Sequence, residues 1–392
     1  MPTQPTIAMI PSGYGLEKIY SVLPTNGDAD LQFSRGSVAT RVDKSGLISN
    51  VQSNFPRLDY LDSTCPSLLL EPQRSNFILN SQAISLSPTK NGTFLDNFSI
   101  SPDGTQNATK LTATTSDPFF YQAVSFSAGS YTASIYVKGI GSSIGKKLRV
   151  VLGGNSSDRF SITSEWTRFE HTAIMTSGSL NTGLEIPDPA VVGDEVLVWG
   201  WQVEQGSYPT SYIKTTGTSV TRNAETAFKT GVDAYINNSE GVFYLEISRL
   251  NQGQTGSSIW SLSNGSNSNA VSMYYANSGI VVDIFSSSGV KILNYGMSFL
   301  EQANFNKLII KYKSNDIALW VNGLKVAVNT NAISLSGLNQ INASYGGGEF
   351  PFLGKIKDLR VYNTALTDLE LETLSSFTTF NAMALNFNYT IY

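Results

Sequence analysis

The stretch Trp199-Gly200-Trp201-Gln202-Val203-Glu204-Gln205-Gly206-Ser207-Tyr208-Pro209-Thr210-Ser211-Tyr212-Ile213 joins two β patterns. Leu197, Trp199, Trp201 and Val203 recur at every second residue, the period of a strand, so all four are expected on one buried sheet face. The tryptophans therefore read as core rather than as a sugar platform. Gly206, Ser207 and Pro209 then break the pattern. A second series of strands begins beyond Arg222, so the stretch reads as a seam between two β modules.

Working outward, residues 91–222 carry short strands separated by Gly, Ser, Asn and Asp, the pattern of an antiparallel sandwich. Within 130–138, Tyr131, Ala133, Ile135 and Val137 alternate strictly onto one face, and 147–152, 159–162, 167–174 and 195–203 read as further strands. On the other side of the seam, 223–376 opens with Gly241-Val242-Phe243-Tyr244-Leu245-Glu246-Ile247-Ser248 and holds at least eight strand-like runs. Asn322-Gly323, set between two apolar runs, predicts a two-residue type I′ hairpin, because both residues tolerate positive φ. Thr367-Asp368-Leu369-Glu370 has the spacing of a capping box and predicts a short helix ending near Ser375. The tail, 377–392, is apolar and too short to fold alone, so it is expected to dock back as a strand or to pair with a neighbouring subunit. Residues 1–90 look irregular, with few regular strands and much Pro, Gly, Asn and Arg. The fold class is accordingly all-β: an irregular N-terminal segment followed by two antiparallel β-sandwiches.

A chain of 392 residues exceeds what one core usually organises. Charged residues are 14% of the chain, below the roughly 25% of an average soluble protein, while Ser, Thr, Asn and Gly abound; that is the surface of an extracellular or virion protein. The net charge of -4 with scattered Lys and Arg argues against nucleic acid. The longest apolar runs are interrupted by Gly193, Asp194 and Glu195, so membrane insertion is not expected, and the first residues lack the features of a secretory signal. Cys65 and His171 each stand alone of their type, which excludes an intrachain disulfide and a Cys/His zinc site. His171 lies in an alternating strand with no nucleophile elbow nearby, so it reads as a strand histidine rather than part of a catalytic triad.

Three resemblances add to this reading. Tyr20 to Pro24, Phe33 to Val42, Gly46 to Ile48, Pro56 to Tyr60 and Cys65 to Asn76 resemble the N-terminal segment of bacteriophage tail-fibre and head-fibre (spike) proteins, with Leu68-Leu69-Leu70-Glu71-Pro72-Gln73-Arg74 the most specific part. The resemblance implies a virion-anchoring role for 1–90. Such an extended segment buries little surface by itself, so it is expected to pack against the next domain, against symmetry mates or into a socket on the particle; the alternative is that Arg35, Arg41, Arg57 and Arg74, whose guanidinium forks can satisfy backbone carbonyls, only tie down loops within the chain. Residues 129–138 and 199–204 resemble the jelly-roll carbohydrate-binding modules that recur in phage fibres. Residues 352–367 are similar to concanavalin A/laminin-G-like lectin sandwiches, which makes 223–376 a lectin-like domain.

The ligand-contact candidates follow from residue chemistry, since a sugar's C–H face stacks on aromatic rings while its hydroxyls meet amides and carboxylates. Phe119, Phe120 and Tyr121 follow Asp117-Pro118, and three consecutive aromatics cannot all point inward. In the lectin-like section the candidates are Trp260, Asn264, Tyr274, Tyr345, Glu349 and Phe350, with Tyr275, Asn267 and Asn269 close by in sequence. Asp283, Asp316 and Glu349 do not form the spaced pair of acids a glycosidase needs, and no acid-rich loop marks a calcium site, so neither catalysis nor a metal or other cofactor is expected. The expected protein is a non-enzymatic virion appendage, a head or tail fibre. It would be made in the host cytoplasm and displayed on the virion surface, as a homo-oligomer, commonly a trimer for such fibres. Its partners would be other virion proteins through the N-terminal segment and bacterial surface glycans through the sandwiches. A purely structural decoration protein and a capsule depolymerase are the alternatives.

Overall fold

The computed structural model describes residues 3–61 and 63–377. The docking strand expected over 377–392 falls outside them apart from Phe377. The all-β class holds: the described elements are strands save for two α-helices and three single turns of 3-10 helix.

Two compact units share the chain discontinuously. Of the described residues, one unit holds those up to Gly36, those within 53–72 and those from Ala224 to Phe377; the other holds 37–52 and 73–223. The units do not divide at residue 90. The early residues carry strands of two to four residues, too short to show a period, and these strands complete sheets built mainly from later chain.

The first unit is a sandwich of an eight-stranded and a nine-stranded sheet. At the centre of the smaller sheet, Glu240–Ser248 lies between Asn306–Lys313 and Gly354–Tyr362, all antiparallel. The far edge of Gly354–Tyr362 is shared by two early strands: Ile7 faces Val361, and Leu68 faces Ile356. In the larger sheet Leu31–Ser34 joins through Thr226–Thr230. Its alternation is clean, with Leu31 and Phe33 buried and Gln32 and Ser34 exposed. Ile7, Met9, Leu31, Phe33, Leu68 and Leu70 thus enter the same core as Phe243, Trp260 and Leu319, each such burial stabilising the fold by roughly 1.5–3 kcal/mol.

Charge also fastens the early residues to this unit. Arg35 Nη1 donates to Glu225 Oε1 at 2.8 Å. Arg57 Nε donates to the same oxygen at 2.8 Å, and its Nη2 donates to Glu225 Oε2. Arg57 Nη1 pairs with Glu71 Oε2 at 2.7 Å, and the Glu71 backbone N–H donates to Glu225 at 2.9 Å. All four residues are buried. Burial alone would lower the Arg57 pKa, but Glu225 and Glu71 outweigh it and hold the guanidinium well above its ordinary value.

The local signals read from sequence are present here. Asn322 and Gly323 sit at φ of 50° and 89° in the hairpin turn, and Thr367 and Glu370 form a complete capping box on the helix Asp368–Ser375. That helix lays Leu371 against Ile309, Trp320 and Tyr362, covering the outer face of the eight-stranded sheet. A second capping box, Ser298 with Glu301, starts a helix that the sequence reading omitted.

The second unit is a jelly roll. Numbering its main strands from Gln106–Thr112, with Asn155–Ser156 and Phe160–Ser161 as two pieces of the fifth, the two sheets run 1-8-3-6 and 2-7-4-5, the eight-strand jelly-roll order. A core including Phe120, Tyr131, Ile135, Leu148, Leu184 and Trp201 fills the space between them.

The strand Glu195–Gln205 corrects the simple alternation read from sequence. Tyr136 faces Trp199 but Ser134 faces Gln202, so two residues of this strand stand opposite Ile135 alone. The extra residue is a bulge, with Gly200 at φ 68°. It flips the parity: Val196, Val198, Trp201 and Val203 enter the core, whereas Leu197 and Trp199 do not share their face. Trp199 is instead buried beneath Tyr136 and Tyr212, with ring centroids 5.6 and 4.4 Å away. The chain that follows is held down as a cover, with Thr210 Oγ1 donating to Glu204 at 2.6 Å and the Ile213 N–H donating to Gln202 at 2.7 Å. The stretch therefore closes both faces of one strand, and the chain leaves this unit only after Asn223.

Candidate functional site

In the nine-stranded sheet, the strands Ser258–Ser263, Ala270–Ala276, Gly279–Ser286 and Gly289–Gly296 are consecutive neighbours. A two-residue turn at Asn277-Ser278 sets Tyr274 opposite Val281 and Ser272 opposite Asp283. Trp260, Met273, Val282 and Leu293 form a cross-strand row that enters the core. The adjacent row, Ser261, Ser272, Asp283 and Ile292, therefore faces outward, as do Tyr274 and Phe285. Trp260 is thus corrected from ligand contact to core: it is fully buried, its ring 5.6 Å from that of Phe352. Tyr275 is also core, donating its hydroxyl to the Ile247 carbonyl at 2.9 Å.

The segment Ser344 to Phe350 crosses this outward face. Ser261 Oγ donates to the Ser344 carbonyl at 2.7 Å. Gly346 passes so close that a Cβ there would stand 2.3 Å from the Ser266 carbonyl oxygen and 2.7 Å from Ser263 Cβ, which explains the glycine. The neighbouring turn braces the segment: Asn267 donates to Glu349 at 3.2 Å and accepts from the Gly347 N–H at 3.0 Å. Asn264 accepts from the Ser266 N–H and hydroxyl at 3.1 and 2.8 Å, so its side chain shapes the turn.

At the centre, the hydroxyls of Tyr274 and Tyr345 both donate to Asp283 Oδ2 at 2.8 Å. Asp283 is 6% exposed, and neither its Oδ1 nor the Ser272 hydroxyl on the facing strand has a hydrogen-bond partner among the described residues. Tyr345 is the hub of an edge-to-face array, its ring 6.0 Å from Tyr274, 6.2 Å from Phe285 and 5.9 Å from Phe350. Burial first, and the shared carboxylate with it, pushes the Tyr345 phenol up to about 12 and raises that of Tyr274 further. Phe350 is exposed, and Tyr274, Phe285 and Tyr345 are half-buried. The face offers ring edges and C–H surface beside the amide of Asn267 and the carboxylate of Glu349.

The jelly-roll candidates behave as alternation demands. Phe120 is corrected to core, fully buried and edge-on to Trp201 at 5.0 Å. Its neighbours Phe119 and Tyr121 point the other way and stack on each other at 4.7 Å. The Tyr121 hydroxyl donates to Glu185 at 2.7 Å, and Arg149 Nη1 lies 3.7 Å from the other Glu185 oxygen.

Of the residues picked from sequence, Tyr274, Tyr345, Glu349, Phe350 and the turn residue Asn264 come together on the lectin-like face, while Phe119 and Tyr121 pair in the jelly roll. Sequence reasoning weighs Asp283 only as a catalytic acid and passes over Phe285 and Ser272. The readable signal is the Asn277-Ser278 turn, which places Tyr274 and Asp283 as diagonal neighbours on one face.

Residues 213–372 match the family model described as the concanavalin A-like lectin/glucanases superfamily, in keeping with a concanavalin-like β-sandwich in the first unit. No curated protein matches the chain significantly. Among solved structures, the chain is similar to the Ruminococcus gnavus IT-sialidase CBM40 bound to α2,3-sialyllactose, at 19% identity over 36% of this chain and 84% of that one, with a TM-score of 0.31. It is also similar to domain 4 of an extracellular GH43 arabinanase from Geobacillus stearothermophilus in complex with arabinotriose, at 13% identity over 44% and 84%, TM-score 0.32. A third is the heptameric SAP-like pentraxin of Limulus polyphemus, at 16% identity over 36% and 71%, TM-score 0.29.

Proposed function

We propose that this chain binds glycans through the outer face of its nine-stranded sheet, at Tyr274, Phe285, Tyr345, Phe350 and the Asn267–Glu349 pair. The observation that carries the reading is the aromatic array around Tyr345, locked by the two phenol bonds to Asp283. Locked rings lose little freedom on binding, so sugar C–H surface packs on them at low entropic cost, while Asn267 and Glu349 meet hydroxyls. The match of 213–372 to the lectin superfamily supports this reading. With Phe350 exposed, contact per site is expected to be weak, with gain through multivalency.

Binding proceeds without hydrolysis in this reading. Glycosidases set two carboxyl groups about 5–9.5 Å apart across the scissile bond; here Asp283 is committed to two phenols and Glu349 to Asn267. The setting proposed is a phage virion surface, as a head or tail fibre that is oligomeric and trimeric by analogy, with other virion proteins as partners. That setting rests on the resemblance of the first 80 residues alone.

The test is binding of the full chain to a glycan array and to bacterial surface polysaccharide, with Tyr345→Ala and Phe350→Ala beside it. Both variants are expected to lose at least tenfold in apparent affinity, Phe350→Ala without loss of stability because that ring is exposed. Absence of binding by the assembled oligomer, or full binding by both variants, overturns the proposal. Release of oligosaccharides would replace it with a depolymerase.

A further inference from the structure

Among the motif arginines, Arg74 is placed differently from Arg35 and Arg57, which pair with Glu225 and Glu71. Among the described residues its guanidinium makes a single hydrogen bond, from Nη1 to the Gln73 carbonyl at 3.1 Å, and its buried Nε meets no acceptor. The group is nevertheless held firmly. The Tyr208 ring lies 5.5 Å from Cζ, and Tyr208 is itself buried. Gly206 presses on the guanidinium so closely that a Cβ there would come 2.7 Å from Nη2 and 2.9 Å from Nε. A guanidinium fixed in one plane, with most of its donors unused, is prepared for a planar two-oxygen acceptor.

What it faces is a cleft of about 440 Å³ lined also by Gln73, Ser75, Phe77, Ser130 and Gln205. That volume lies within the roughly 300–1,000 Å³ typical of small-molecule sites. We propose that this cleft binds the carboxylate of an acidic sugar, with Arg74 as the bidentate anchor. Gln73, Gln205, Ser75 and Ser130 meet ring hydroxyls, and Phe77 supplies apolar surface. An aspartate or glutamate from a protein partner would satisfy the guanidinium but would leave most of the polar lining unused, so the sugar is the better fit. The site lies in the other unit from the lectin-like face and does not depend on it.

The experiment is a calorimetric titration of the full chain with glucuronate-, galacturonate- and sialate-terminated oligosaccharides, each beside its methyl ester, and with a short acidic peptide. At least one acidic sugar is expected to bind saturably, at least tenfold tighter than its ester and more weakly at high salt. Arg74→Gln should lose at least tenfold, and Gly206→Ala, whose Cβ would come 2.7 Å from Nη2 and displace the guanidinium, should lose affinity as well. Arg74→Lys, which keeps the charge without the fork, should fall between, and circular dichroism checks that each variant is folded. Tyr345→Ala should bind the acidic sugar as the parent does, which separates this site from the lectin-like face. Failure of all three sugars to bind, ester binding equal to acid binding, retention in folded Arg74→Gln, loss in Tyr345→Ala, or tighter binding of the peptide would each overturn the proposal.

Discussion

Replacing Glu225 with glutamine removes the charge that fastens the early chain to the lectin-like unit, while keeping shape and one acceptor. In the native structure this carboxylate has no exposed surface and receives Arg35, two donors of Arg57 and the Glu71 N–H. The variant takes from the buried guanidinium groups of Arg35 and Arg57 a carboxylate to which both donate. Breaking a buried pair from one side costs about 3–5 kcal/mol. For a unit of 150–250 residues each kcal/mol shifts Tm by about 2–4 °C, so a fall of roughly 6–20 °C is expected. Differential scanning calorimetry of the full chain reads it, with the shift confined to the transition of the lectin-like unit. A companion variant, Arg35→Met, Arg57→Met, Glu71→Gln and Glu225→Leu together, removes these four charges at once and should recover part of the loss, because apolar replacement of buried ion pairs is often neutral. A fall of less than about 1 kcal/mol in Glu225→Gln, or a shift confined to the jelly-roll transition, would refute the reasoning.

Two further outcomes follow from the geometry. Gly200→Ala puts a side chain at φ 68°, with its Cβ 3.2 Å from Tyr136 Cδ2; the left-handed conformation alone costs about 1–2 kcal/mol, so the urea midpoint of the jelly-roll unit should drop, and an unchanged midpoint would sink the bulge account. Tyr345 has a folded pKa of about 12, against about 10 for an unfolded phenol. The fold therefore favours the neutral phenol, and this contribution is complete below pH 10 and disappears as pH rises from 10 to 12. Tyr345→Phe should flatten the alkaline stability slope in that window, and slopes identical to the parent's would count against the buried phenol–carboxylate geometry.

Long strands and local turns were legible in the sequence because their signals are local. The alternation of Tyr131 to Val137, the Asn322-Gly323 turn and the Thr367 capping box each need only a few neighbouring residues. The early strands were not legible, since Ile7–Met9 and Lys18–Ile19 are too short for any period to show. The Gly200 bulge hid in an alternation that looks unbroken until the partner strand is known. Consecutive aromatics at Phe119 to Tyr121 rightly implied a split between faces, but which ring turns inward depends on the sheet around it. The candidate site was legible as residue types only: Asp283 and Tyr345 lie 62 positions apart, and no spacing rule joins them.

The pairing of Ile7–Met9 with Gly354–Tyr362 also has a consequence in time. The jelly-roll unit is complete once residue 223 has been made, so it can fold while the ribosome is still working. The lectin-like unit cannot close its eight-stranded sheet until Tyr362 emerges. At synthesis rates of roughly 5–20 residues per second, Met9 waits on the order of 20–70 s for its partner strand. Through that interval the apolar residues of Ile7–Met9 lack their partner strand, although the other unit, 37–52 with 73–223, has its whole chain available to fold. Whatever the cell supplies to shield them in that window bears on how much of this protein reaches its native state.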